Sequence, residues 1–252
     1  MEVQLVLVHG SRLASSQWAP QVPLLRDRVG LTLVDLPGHG SRAGEEFTLD
    51  RCIDVIEECL PTEGPIVLVG HSLGGYVAMA YAARRGAALS GLVLADASAT
   101  PTGPGAAIYR GVATLTDRLG PERMTRVNNR VLRRLYPPDR IEPVIAGGYF
   151  FAPTPAAWRE VMTHCRPSML HDLSCPVLLL NGQFDQFRLG TRAYRRACPG
   201  ARVEIIRRAG HQVGHSDPFS PISGPAPNRR SAAGPRRKPP AGRGWPDDRP
   251  GG

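Results

Sequence analysis

The chain has 252 residues, 42% of them apolar, which suits one large domain or two small ones with a real core. Its 31 Lys and Arg outnumber 22 Asp and Glu, but seven of the basic residues crowd into positions 218–252 against only Asp247 and Asp248, so the remainder is ordinary in charge. No apolar run approaches the roughly 18 residues of a bilayer span, the N-terminal stretch lacks the flanks of a secretory signal, and five cysteines without a C-x-x-C pair disfavour a disulfide scaffold or zinc module. The expectation is a cytoplasmic chain with no membrane attachment.

Six short β-rich runs punctuate the chain: 3–8, 31–36, 66–69, 92–95, 177–180 and 203–206. The first is continuously apolar and ends at His9-Gly10, as a strand buried on both faces would. Between the runs lie helical patterns. Leu49, Ile53, Ile56 and Leu60 share a face behind Thr48, a good N-cap, and Leu73–Arg84 is apolar nearly all round. Strand and helix alternating at this spacing predict an α/β fold with a mostly parallel central sheet and helices on both faces. Residues 98–172 break the alternation. They hold no convincing strand, but helical patterns over 105–119, 122–136 and 155–165, too much for a plain loop. The expected organisation is a core in two parts, 1–97 and 173–217, a helical lid over 98–172, and a tail over 218–252. That tail has nine Pro and six Gly, so it is expected to be disordered, with only non-specific, salt-sensitive attraction to polyanions.

Gly70-His71-Ser72-Leu73-Gly74 matches G-x-S-x-G. Alone the pattern is weak, but an apolar run leads in and a helical run leads out, the context a nucleophile elbow needs. Small residues on either side let the chain turn so tightly that the Ser72 hydroxyl projects beyond the strand, with the next amide at a helix N-terminus facing a developing oxyanion. A serine alcohol is a poor nucleophile without a base. His211 and an acid are the candidate partners. Asp185 follows an apolar run and Asn181-Gly182, and Asp96 follows another run and is its rival.

With these residues in place the chain resembles the α/β-hydrolase superfamily, in its compact, lidded form, over about residues 3–215. His9-Gly10 resembles the family's oxyanion loop, Asp35 with Pro37-Gly38-His39-Gly40 its D-x-P-G-x-G segment, 181–185 its acid turn and Ala209-Gly210-His211 its histidine turn. The order Ser, Asp, His is the one this fold uses. The resemblance implies a catalytic triad of Ser72, Asp185 and His211, with the amides of Leu73 and Ser11 as oxyanion donors and Arg12 the next choice to Ser11. His215 could substitute for His211. His71, Arg12, Tyr149 and Trp158 are candidates to line the substrate, together with Phe150 and Phe151. His39, His164 and His171 read as structural or surface residues. Over 122–136, Arg126, Arg130, Arg133 and Arg134 form a basic side that reads first as a solvated face and second as a carboxylate or phosphate binder, with Val127, Val131 and Leu135 on another side.

The implied activity is a serine hydrolase cleaving an ester, thioester or lactone through an acyl-enzyme. Hydrolysis of a carbon–carbon bond by the same triad and a non-catalytic ligand-binding module are the alternatives. A serine at the elbow disfavours epoxide hydrolases and haloalkane dehalogenases. No cofactor, metal or specific nucleic acid is expected, only a small-molecule substrate, and oligomeric state is left open.

Overall fold

The computed structural model describes residues 1–100 and 120–211. Among these, six strands form one sheet in the order β2-β1-β3-β4-β5-β6, every neighbouring pair parallel. They are β1 Gln4–Val8, β2 Gly30–Val34, β3 Ile66–His71, β4 Leu89–Ala95, β5 Val177–Gly182 and β6 Arg202–Ile206. All six predicted strands are present within a few residues, and the four central ones, β1, β3, β4 and β5, carry the burial that their apolar runs imply, while the edge strands β2 and β6 are largely half-buried or exposed. Val6, Val8, Leu68, Leu92 and Leu94 are completely buried.

The helices follow from the same logic. A single turn, α1, spans Val22–Leu25. Helix α2, Leu49–Glu58, is capped by the Thr48 hydroxyl, which accepts from the Arg51 amide at 3.1 Å, and buries Leu49, Ile53 and Ile56. Helix α3, Leu73–Arg85, is buried on nearly every side through Ala82 because it lies between the sheet and its neighbours. Between β4 and β5 come α4 Pro121–Leu135, α5 Pro138–Ala146 and α6 Thr154–His164, and α7 Thr191–Ala197 follows β5.

Helix α5 was not among the expected helical patterns, and prolines stand at 137, 138 and 143. Pro137 is its N-cap and Pro138 opens it, where no donor is needed, while Pro143 interrupts it on the exposed side. Ile141 and Val144 on the opposite side anchor it to Leu13 and Leu132. The inserted stretch thus splits by packing. Helix α6 sends Ala157, Trp158 and Val161 into the main hydrophobic cluster, while α4 and α5 rest on a separate, smaller one. The helix expected over 105–119 and the tail lie outside the described residues, as does His215. No described helix is long and apolar enough to cross a membrane.

Candidate active site

A β3 strand running straight into α3 leaves one residue for the turn, and that residue is Ser72. Its backbone sits at φ 50, ψ −115, a region non-glycine residues rarely occupy. Gly70 and Gly74 make the turn possible. A Cβ on Gly70 would strike the Gly74 backbone, and one on Gly74 would strike the carbonyls of Val8 and His9. The Ser72 amide is tied to the Ala95 carbonyl at 2.8 Å, which fixes the elbow to β4.

The loops after β5 and β6 converge on this serine. Ser72 Oγ lies 3.0 Å from His211 Nε2, and His211 Nδ1 lies 2.9 Å from Asp185 Oδ1. The Asp185 carboxylate also accepts from the Phe187 amide at 3.0 Å. With Nδ1–H donated to Asp185, Nε2 is left to accept the serine proton. Burial pushes the Asp185 carboxyl up, and the hydrogen bond and charge of His211 oppose that shift.

Asp96, the rival acid, is brought to the same place. Its Oδ1 accepts from the Gly182 amide at 2.9 Å, and its Oδ2 is 3.7 Å from His71 Nε2, which in turn lies 3.0 Å from the His211 carbonyl. Asp96, Asp185 and His211 each present an atom within 4.8 Å of the others. Both ring nitrogens of His211 are engaged in hydrogen bonds, so a metal there would have to break the link to Ser72 or to Asp185.

On the other side of Ser72 the loop after β1 is held by buried polar groups. His9 Nδ1 donates to the Gly10 carbonyl and Nε2 accepts from the Leu36 amide at 3.0 Å. Burial and the nearby His39 push the His9 pKa down to about 3, so the ring is neutral. Gln17, fully buried, takes the Gly10 amide at 2.8 Å. Reading the sequence missed Gln17, since nothing marks one polar loop residue among many as buried. Asp35 braces the same region through the amides of Ser15 and Ser41. Burial raises its pKa, but these hydrogen bonds outweigh that and leave it below the usual carboxylate value. Arg12 follows at φ 68 with its guanidinium over the Phe151 ring. Leu73 opens α3, where helical amides have no intrahelical acceptor, and Ser11 belongs to the loop after β1.

The remaining candidates separate. His71 is buried, with its ring against that of His211 and its Nε2 3.0 Å from the His211 carbonyl. Trp158 packs edge-on against Tyr76 in the main cluster. Tyr149 donates to Asn129 at 2.8 Å and stacks on Phe151, tying α4 to the segment before α6. His39 is buried on the Pro37 carbonyl, while His164 and His171 are exposed. Of the basic side of α4, Arg133 pairs with Glu142. The apolar stripe Val127, Val131 and Leu135 is not turned inward as an amphipathic helix would suggest. It is exposed, and its last two members border a cleft of about 610 Å³ that ends on His211.

This combination of sheet order, elbow and converging loops defines an α/β hydrolase. Residues 5–223 match the model of the alpha/beta hydrolase family, and the chain belongs to that family. It is 30% identical to a pimeloyl-[acyl-carrier protein] methyl ester esterase of Nitrosomonas europaea, over 82% of this chain and 88% of that one. A biotin biosynthesis bifunctional protein of Cellvibrio japonicus is 42% identical, but over only 38% of this chain and 19% of its own length. Matches with several other relatives likewise cover only between 29% and 36% of their length. Among solved structures, a thermophilic esterase of Thermogutta terrifontis superposes with a TM-score of 0.68 at 30% identity, covering 86% of this chain and 85% of that one.

Proposed function

We propose that the chain hydrolyses a carboxylic ester, or a closely similar thioester or lactone, through an acyl-enzyme on Ser72. The observation that carries this reading is the unbroken relay from Asp185 through His211 to Ser72, at 2.9 and 3.0 Å, on a serine held in elbow geometry. The esterases named among its relatives support the same reaction class.

His211 Nε2 takes the serine proton as Oγ attacks the ester carbonyl, and the negative charge moves to the carbonyl oxygen. The amides of Leu73 and Ser11 receive that charge. His211 then returns the proton to the departing alkoxide, leaving an alcohol and an acyl-serine. Water, deprotonated by the same nitrogen, cleaves the acyl-serine to the acid and restores Ser72. Asp185 keeps Nδ1 protonated and stabilises the imidazolium in both halves. His9, Gln17 and Asp35 position the oxyanion loop through backbone contacts. Helices α4 and α5 serve as the lid, with α6 counted as core. Five free cysteines are in keeping with a reducing cytoplasm.

The test is labelling with a fluorophosphonate followed by peptide mapping, beside turnover of a simple activated ester. The label is expected on the peptide carrying Ser72 and is expected to vanish, with turnover, in Ser72→Ala. An unlabelled Ser72 in a protein that still cleaves the ester would remove the reading.

A further inference from the structure

A second acid and a second histidine lie beside the relay without belonging to it. Asp96 and His71 are both buried, and between them they touch both turns that carry the relay. Asp96 ends β4 at φ 49, its Oδ1 accepts from the Gly182 amide where the acid turn begins, and its Oδ2 lies 3.7 Å from His71 Nε2. The same nitrogen of His71 reaches the His211 carbonyl at 3.0 Å. A carbonyl can only accept, so Nε2 carries the proton, and the charge of Asp96 favours it there. His71 Nδ1 is then an acceptor, lodged so close to Gly10 that a Cβ on that glycine would stand 2.7 Å from it. The ring is thus wedged between the oxyanion loop and the histidine turn, 5.6 Å from the His211 ring between centroids.

The bond to the carbonyl matters because of what else holds His211. The preceding turn is tied to the loop after β5, with the Phe184 amide on the Ala209 carbonyl and the Arg208 amide on Gln183 Oε1. Among the described residues, no hydrogen bond except that from His71 reaches the backbone of His211 itself. Its ring touches Ser72 and Asp185, whose bonds are loaded during turnover, and the ring of Phe187.

We infer that His71 is a positioning residue: backed by Asp96, it fixes the backbone of His211 so that Nε2 stays in line with Ser72 Oγ through both halves of the reaction. The inference rests on the hydrolase reading of Ser72 and deepens it. It gives the second carboxylate a task other than the relay, and no bond to His71 forms or breaks in the chemistry.

The test exploits the two ring nitrogens. A glutamine places its amide nitrogen near the Nε2 position and an asparagine places it near Nδ1, so His71→Gln keeps the donor to His211 and His71→Asn loses it. With an activated ester, His71→Asn and His71→Leu are expected to lower kcat about a hundredfold with KM changed by less than about twofold. The same two variants should slow fluorophosphonate labelling of Ser72 by a similar factor, and His71→Gln should recover kcat to within about fivefold of the wild type. The downfield proton resonance of the His211 Nδ1–H shared with Asp185 reads the same geometry without turnover. It should persist in His71→Gln and broaden away in the other two, all with melts close to the wild type. Three variants equally fast, or a loss carried by KM, would overturn the inference and leave the hydrolase reading standing. So would a His71→Gln variant that is as slow as the others or does not fold. Unfolded His71→Asn and His71→Leu would make the bond a tie for the fold rather than for the base, and would overturn it too. A resonance that follows the donor, in a protein that neither cleaves the ester nor takes the label, would support the positioning and overturn the hydrolase reading instead.

Discussion

At the carboxyl edge of the sheet, His9, Ser72, Asp96 and Asp185 are each no more than 4% exposed, whereas α4 leaves Val127, Val131 and Leu135 at 49%, 47% and 65%. One region buries polar groups; the other exposes apolar ones. Both arrangements oppose stability taken alone, and the difference lies in what surrounds them. The polar groups sit just past the ends of packed strands, where hydrogen bonds tie His9, Ser72, Asp96 and Asp185 to fixed partners. Helices α4 and α5 rest on a small cluster of Leu13, Leu132, Ile141 and Val144 with Tyr149 at its margin. The proposed hydrolase reading asks for an immobile relay and an adaptable substrate wall, and the two regions differ in that direction.

The largest expected effect tests the relay. Asp185→Asn should lower kcat by about four orders of magnitude, because the amide favours the wrong imidazole tautomer. Asp96→Asn keeps an oxygen for the Gly182 amide and should cost about tenfold or less. Since burial raises the Asp185 pKa, its ionised form weakens the folded state at neutral pH, and the neutral amide should leave the melting temperature unchanged or higher. Kinetics and a thermal melt on each variant check both points. The reverse kinetic ranking would move the acid to the end of β4.

Next comes packing. Leu68→Ala in the central strand should cost about 3–4 kcal/mol, a fall of roughly ten degrees in the melt. Ile141→Ala removes an equally buried side chain from the smaller cluster. It should shift the global melt far less and change the relative kcat/KM of short and long esters. Equal melts would show that α4, α5 and the sheet unfold as one unit, and the contrast would fail.

How far the sequence carries depends on the same division. The elbow was legible because its backbone admits almost no residues but Gly70 and Gly74 around the serine. The central strands were legible because burial on both faces writes continuous apolar runs, and the edge strands β2 and β6 because they keep β-rich residues despite their exposure. The acid reads as Asp185 over Asp96 from the turn that precedes it and from family resemblance, not from periodicity, since both follow a parallel strand and folding carries both to His211. Gln17 was invisible because its burial is set by contacts far apart in the chain. Helix α5 was hidden by proline at positions that this geometry tolerates, and the outward turn of Val127, Val131 and Leu135 by a periodicity that reports a stripe without reporting which way it faces.

A smaller effect is expected from acid. The folded pKa of His9 is about 3 against 6.5 for the free side chain, so below 6.5 the unfolded chain gains a proton the native state refuses. Stability is fully present above pH 6.5 and is lost as pH falls towards 3, by up to a few kcal/mol. Asp35, also depressed, adds loss of the same sign only below its ordinary value of 3.8. Asp185, raised, contributes the opposite sign. Melting temperature against pH should therefore slope downwards below 6.5, and His9→Asn should flatten that slope. A flat wild-type profile would mean that the oxyanion loop opens to admit the proton locally.

The smallest effect belongs to Tyr149→Phe. The substitution deletes one half-buried hydrogen bond, the 2.8 Å contact from the Tyr149 hydroxyl to Asn129, and leaves the ring stacked on Phe151. Such a bond is worth about 1 kcal/mol net, and here it links α4 only to the segment leading into α6. If α4 opens on its own, the loss falls on that local opening and not on global unfolding, and the melt should move by no more than about one degree. The sensitive readout is tryptic cleavage, since α4 carries Arg123, Arg126, Arg130, Arg133 and Arg134. Local opening weakened by about 1 kcal/mol should raise the rate of cutting within α4 about fivefold, without faster cutting elsewhere. A uniform rise at every site, together with a melt lowered by several degrees, would mean that α4 opens only when the sheet does.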